Sequence, residues 1–164
     1  MYTNFNDLDK SSRLWVYQSD RPFTKEEKEF ILQNGKVFVE NWTAHNKALN
    51  ASIDVKYDQF VVLSVDETKA PATGCSIDKS VHFIKALENE LKINLLDKSK
   101  IAFLMNGQVV LKNLPSIKSK IESDEITADL MTFNNMVTTK DEFENNWLIP
   151  ASKSWMARYF KMEA

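Results

Sequence analysis

The sequence predicts an α+β protein built on a ferredoxin-like βαββαβ antiparallel sheet with both helices on one face. Short runs of β-branched and aromatic residues alternate with two long amphipathic stretches, in the order strand, helix, strand, strand, helix, strand. An Asn-Gly pair then predicts one extra hairpin strand. Large apolar residues crowd the last third of the chain, which predicts an α-rich C-terminal cover for the open face of the sheet.

Five apolar runs predict the strands, and two of them differ in pattern. Residues 53–57 alternate between apolar and charged side chains, as a half-exposed edge strand does, whereas 60–65 are almost continuously apolar, as a central strand covered on both faces is. Asn106-Gly107 predicts a two-residue hairpin turn, because both positions must accept positive φ. The predicted strands are 14–17, 53–57, 60–65, 101–105 and 109–111.

Helix one is predicted to begin at a capping box formed by Thr24 and Glu27. Its continuity through Asn34-Gly35 is left open, because a glycine inside a helix costs about 1 kcal/mol relative to alanine. The apolar residues assigned to its core face are Phe30, Ile31, Val37, Phe38 and Trp42.

Helix two is predicted from about Ile77 to Lys92, with Ser76 as its N-cap. Apolar residues recur there at helical spacing and define one core face. His82 lies nearly opposite the centre of that face, so we expect it to face solvent or the partner layer together with Asp78 and Lys79. The core-face residues are Ile77, Val81, Ile84, Leu87 and Leu91.

The C-terminal third is predicted to belong to the same domain, because no linker or repeat separates it from the rest. The chain of 164 residues is long enough for one core, so we predict a single domain, with 1–112 as the sheet core and 113–164 as the cover. The segment "SKSWMARYFK" is expected to dock on the open sheet face. A membrane surface or a partner groove is the alternative for it.

Composition excludes several partners. The net charge of −2, with Lys and Arg spread along the chain, gives no basic patch for nucleic acid, and no run approaches the ~18 to 20 apolar residues of a membrane helix. One cysteine and no apolar leader indicate a cytoplasmic protein. The two histidines and single cysteine match no zinc spacing, so we assign no metal and no cofactor.

Two loops are predicted to meet at one end of the sheet. The first carries Trp42 and His45, and the second spans 66–79, up to and into helix two. Free N–H groups at a helix start favour an anion or a thiolate. Cys75 is therefore a candidate nucleophile with His45 as its general base. A buried structural role is the more common one for a free cysteine.

The function we favour is a non-catalytic binding or interaction module for a small anionic ligand or a protein partner, and the cysteine enzyme is its alternative. Asp66 and Glu67 end an apolar strand as the acidic residues of nucleotide hydrolases do, yet the chain has no G-x-x-x-x-G-K-[ST] loop. The alternative interpretation, without a catalytic role, places these carboxylates in a solvated loop. The candidate ligand-binding residues are Trp42, Asp66, Glu67, Ser76, Asp78 and Lys79.

Five segments carry a resemblance to known proteins: "RLWVYQSDRPFT", "WTAHNKALNAS", "YDQFVVLSVDET", "GCSIDKSVHFIKALE" and "FNNMVTTKDEFENNWLIPASKSWMARYF". Together they resemble a family of short bacterial proteins commonly labelled "ABC transporter ATPase". The resemblance covers nearly the whole chain and implies, through that label, a nucleotide hydrolase as a weaker alternative. It implies no catalytic residues, and the chain has neither a phosphate loop nor an LSGGQ-like signature.

Overall fold

The computed structural model describes residues 1–160 and shows an α+β protein with antiparallel sheets. The last four residues of the predicted cover lie outside the described residues. No helix within 1–160 is both long enough and apolar enough to cross a bilayer. The elements are β1 (Arg13–Gln18), α1 (Lys25–Glu40), β2 (Thr43–Ala44), β3 (Lys47–Ala48), β4 (Asn50–Lys56), β5 (Phe60–Asp66), α2 (Gly74–Leu91), β6 (Lys100–Met105), β7 (Gln108–Asn113), α3 (Ile117–Glu122), β8 (Met131–Phe133), α4 (Lys140–Asn146), β9 (Leu148–Pro150) and α5 (Ala157–Phe160).

The first sheet has the strand order β1-β5-β4, with β5 antiparallel to both neighbours. As its continuous apolar run predicts, β5 is central, and its first six residues are buried. The alternating strand β4 lies beside it at the edge of the sheet. The predicted arrangement of these three strands is therefore confirmed.

The fourth strand of the predicted ferredoxin-like sheet is absent from this sheet. In that fold β6 would pair with β1, but β6 pairs with β7 and β8 in a second sheet of order β7-β6-β8-β9. The tight turn at Asn106 and Gly107, both at positive φ, places β7 on one edge of β6, and β8 occupies the other. No edge of β6 remains free, and the open edge of β1 instead meets 138–139.

The two faces of the first sheet pack against different parts of the chain. Both long helices cover one face, where Ile31 of α1 and Ile84 of α2 are buried with Leu63 of β5. The other face packs against the C-terminal third, for example Phe60 against Trp147. Within the described residues the cover contains three α-helices, and beyond the prediction it also contributes β8 and β9 to the second sheet.

The C-terminal segment docks at a different place from the one predicted. Met156 is fully buried, but it belongs to a cluster with Phe103 and Ile117 on the second sheet rather than on the open face of the first. Trp155 remains exposed. The strands β8 and β9, with Phe143 and Trp147, already cover the first sheet, so this segment packs on the other side of the second one.

Helix α1 begins at the predicted capping box and runs unbroken through Asn34-Gly35. The Thr24 hydroxyl accepts from the Glu27 N–H, and the Glu27 carboxylate accepts from the Thr24 N–H at 2.9 Å. Its core face is narrower than predicted, because Ile31, Gly35 and Val39 are buried whereas Val37 is 63% exposed.

Candidate functional site

Helix α2 begins at Gly74, three residues earlier than predicted, and its N-cap is Thr73 rather than Ser76. The Ser76 N–H donates to the Thr73 hydroxyl at 3.2 Å, and the Thr73 N–H donates to the Ser76 hydroxyl at 2.7 Å. Serine thus takes the place in this capping box that glutamate or glutamine usually has. The buried Ser76 hydroxyl is used within the cap, which argues against its predicted role in ligand binding.

Cys75 is exposed, which corrects the expectation of a buried thiol. The earlier helix start explains this, since the buried positions of α2 begin at Ser76 and continue at 80, 84 and 87. Cys75, Lys79 and His82 follow one another at i, i+4 and i+7, so they lie along one side of the helix. All three are exposed, as is Asp78. The expectation that His82, Asp78 and Lys79 face away from the core is confirmed.

The loop after α1 meets the start of α2, as the predicted topology requires. The Trp42 indole N–H donates to the Ser76 carbonyl at 2.8 Å, and Trp42 is buried. His45 is exposed in the turn between β2 and β3, where it and Asn46 both have positive φ. Within residues 1–160 no hydrogen bond joins Cys75 to His45. Their pairing stays a prediction.

Asp66 and Glu67 hold the loop that leads to α2. The Asp66 carboxylate accepts from the Thr68 N–H, and the Glu67 carboxylate accepts from the Ala72 N–H, each at 2.9 Å. Acidic side chains in turns commonly accept such hydrogen bonds from nearby backbone N–H groups. These two predicted ligand-binding residues therefore have a structural role in placing the helix start.

An open apolar groove of about 540 Å³ lies between α1 and α2. The Phe38 ring stacks on Phe83 with centroids 4.7 Å apart, and the centroid of the Trp42 ring lies 5.2 Å from that of Phe38. This size is within the range of small-molecule pockets. The groove is lined by Val37, Phe38, Asn41, Trp42, Lys79, His82 and Phe83.

The ionisable side chains that line the groove are Lys79 and His82, and no carboxylate lines it. In the described part of the chain Lys79 takes part in no ion pair. A lysine that forms no ion pair beside an apolar wall favours a ligand that brings its own negative charge. The groove therefore suits a group with an apolar body and an acidic end.

Sequence reasoning placed Trp42 and Lys79 at the site but missed most of the groove. The apolar pattern assigns Val37 and Phe38 to the core face of α1, and it gives Phe83 no role. The available signal was the width of the apolar arc on α1, which exceeds the stripe that one packed face needs. Asp78 is exposed on α2 but does not line the groove.

Among residues 1–160 no group of three or more His, Cys, Asp or Glu side chains is placed to hold a metal ion. Comparison of the chain with family models, with curated proteins and with solved structures finds no match.

Proposed function

We propose that the protein is a non-catalytic binding module whose site is the α1–α2 groove. Its ligand is a small anion with an aromatic or aliphatic body, or a partner-protein side chain of the same chemistry. One observation carries the proposal: an open groove of about 540 Å³ has apolar walls and two basic side chains but no carboxylate. Pockets of this size with few polar groups are typical binding sites.

The groove walls and the basic side chains contribute in different ways. Stacking on Phe38 and Phe83 supplies contact area for a planar group, at about 0.5–1.5 kcal/mol per aromatic pair beyond burial. Lys79 supplies a charge on an exposed stem, so it selects an acidic ligand more than it tightens binding. Because the groove is open, we expect dissociation constants between about 1 μM and 1 mM.

The test compares aryl carboxylates with the corresponding primary amides, using amide chemical shifts of the labelled full chain. Carboxylates should shift resonances of 37–42 and 79–83, and the amides should bind more weakly at the same place. Lys79→Gln should reduce carboxylate binding to the level of the amide. Lys85→Gln, an exposed lysine of α2 outside the groove lining, is the matched control. Shifts that cluster elsewhere, or equal binding of acid and amide, would refute the proposal.

A second candidate is an enzyme with Cys75 as nucleophile and His45 as general base, and the exposure of Cys75 favours it. Its test is the pH dependence of alkylation by iodoacetamide. An apparent pKa below the ~8.5 of a free thiol, rising in His45→Ala, would support a coupled thiolate. A free-thiol profile that His45→Ala leaves unchanged would remove this candidate.

Nucleotide hydrolysis remains the weakest alternative, supported by the strand that ends at Asp66 and by the resemblance to the labelled family. Calorimetric titration with a nucleoside triphosphate and magnesium at two temperatures tests it, since absence of heat at both would exclude binding. A cytoplasmic location stays a prediction from the sequence.

A further inference from the structure

Sheet edges expose unpaired backbone groups, and proteins usually cover or interrupt them. The two larger sheets have four edges in the described part of the chain, and three of them are covered or interrupted. The edge of β4 is met by residues 1–3 at Ala51, and the edge of β1 by Thr138 and Thr139. The third, β9, has three residues and ends at Pro150, which has no N–H.

The fourth edge, β7, is open. It is a six-residue strand with the sequence QVVLKN and pairs with β6 alone. In an antiparallel strand the backbone N–H and C=O groups of successive residues point alternately towards and away from the neighbouring strand. Gln108 pairs with Met105 next to the two-residue turn, so its groups point towards β6. The N–H and C=O groups of Val109 and Leu111 therefore point away from β6. The bond from the Leu114 N–H to the Ser99 carbonyl at 2.8 Å fits the same alternation. Within 1–160 these outward groups have no hydrogen-bond partner.

We propose that β7 pairs with β7 of a second copy of this chain, antiparallel and centred on Val110, to form a two-fold dimer. In this register Val109 of each copy lies opposite Leu111 of the other. Each such pair exchanges two backbone N–H···O=C hydrogen bonds, so all the outward groups of Val109 and Leu111 gain partners. Centring on Leu111 would engage Asn113, whose carbonyl already accepts from the Ser116 hydroxyl at 2.7 Å. Centring on Val109 would engage Gly107 of the turn.

The side chains of β7 also suit self-pairing. Around Val110, Lys112 of one copy faces Gln108 of the other, so no like charges are opposed. Val110 faces its own counterpart on the axis, in the closely spaced kind of pair. A two-fold interface of this kind uses the same strand on both copies and joins the two second sheets into one continuous sheet. The surface is separate from the α1–α2 groove.

The first test is sedimentation velocity of the full chain over a concentration series, where the mass should rise from 18.9 kDa towards twice that value. Val109→Pro removes an N–H group that points away from β6, so the hydrogen bonds between β6 and β7 are kept. Because the dimer loses this donor, the affinity of the two copies should fall at least tenfold. Val109→Ala loses the same side chain but keeps the N–H, and should still dimerise. A monomer at every concentration, or dimerisation that Val109→Pro leaves unchanged, would overturn the proposal.

The second test uses charge at Val110. Val110→Lys and Val110→Glu should each be monomeric, because like charges meet on the axis, and an equimolar mixture of the two should dimerise. If either variant fails to fold, Val110→Cys in a Cys75→Ser background replaces it. It should form a disulfide-linked dimer, since Cα atoms of such a pair lie about 4.5 Å apart, whereas Gln108→Cys should not. Equal cross-linking of both would overturn the register.

Discussion

At the scale of single residues, Gly35 is required by the approach of α1 to β4. A β-carbon added there would meet the Ile53 Cδ1 atom and lie 2.9 Å from its Cγ2. Gly35→Ala should therefore destabilise the protein by roughly 1–3 kcal/mol, although alanine gains about 1 kcal/mol in helix propensity. The free energy of unfolding in urea measures this cost.

Two further variants isolate the cause. Gly74 has no atom within 4 Å of an added β-carbon, so Gly74→Ala should change stability by a few tenths of a kcal/mol. Ile53→Val removes the Cδ1 atom, and the cost of Gly35→Ala should shrink in that background. Equal effects of the two glycine substitutions would contradict the steric explanation.

Glu27 accepts hydrogen bonds from an arginine and from the N-cap residue of α1. The Arg21 guanidinium donates to both of its oxygens at 2.8 Å, and with the Thr24 N–H it lowers the pKa of Glu27 from 4.5 to about 2. A carboxylate whose pKa is lower in the folded state stabilises the fold above pH 4.5 and loses this contribution as the pH falls towards 2.

Glu27→Gln should therefore cost about 1 kcal/mol at neutral pH, because the half-exposed Arg21 is screened by solvent. The difference from the wild type should vanish near pH 2. Urea unfolding at both pH values measures it, with Glu29→Gln, an exposed position in the same helix, as the control. A cost that is independent of pH would show that the ion pair does not contribute.

At the scale of elements, Lys140 joins α4 to the N-terminal segment. Its buried ammonium donates to the carbonyls of Phe5 at 2.9 Å, Asn6 at 3.3 Å and Leu8 at 2.8 Å. Lys140→Met should cost about 2–3 kcal/mol, since hydrogen bonds from a charged donor are lost and the Asn6 and Leu8 carbonyls lose their donor. The Phe5 carbonyl keeps its bond from the Leu8 N–H. Hydrogen exchange of residues 5–8 should accelerate along with the drop in stability.

The exposed Lys10 is the matched control for that experiment. Lys10→Met removes the same charge from the same segment without a buried contact, so it should leave both stability and exchange nearly unchanged. If exchange at 5–8 is the same in both variants, Lys140 does not hold the segment.

Local patterns predicted the two long helices, the strands β1, β4, β5, β6 and β7, and the order of the first sheet. They predicted neither the short β2–β3 hairpin nor the pairing of β6 with β8. The runs at 14–17 and 101–105 are strands as expected, but apolar alternation does not say which edge a strand will join. The position of β6 depends on β8, three residues long, whose pattern is too short to recognise. The start of α2 was missed because Ser76 takes an unfamiliar place in the cap.

The site was predictable only in its location. Topology brought the loop after α1 to the start of α2, which the contact of Trp42 with Ser76 confirms. The groove itself depends on how far apart two helices pack, and a single sequence carries no signal for that distance. Val37 and Phe83 are apolar residues that packing does not fully bury. Periodicity alone therefore placed Val37 in the core and gave Phe83 no role.

At the scale of the whole molecule, one aromatic cluster joins the two sheets. The ring centroid of Phe60 in the first sheet lies 4.7 Å from that of Phe133 in β8 and 5.1 Å from that of Trp147, which stands between α4 and β9. Because each sheet buries the other through this cluster, we expect a single cooperative unfolding transition. Far-UV circular dichroism and amide protection in β5 and β6 should follow the same urea curve.

Trp147→Ala should lower the midpoint of that curve for both sheets together, at a cost of roughly 3–5 kcal/mol. Trp155 is 46% exposed, so Trp155→Ala should cost much less and serves as the control. Separate midpoints for β5 and β6 would show that the sheets unfold independently.

The exposure of Cys75 has a practical consequence for the study of ligand binding at the α1–α2 groove. It is the one cysteine of the chain, so a thiol-reactive nitroxide attaches at a single defined position without any mutation. That position lies on the same side of α2 as Lys79 and His82. Paramagnetic broadening from the label would then map which atoms of a bound molecule come near the groove, and from which end it enters.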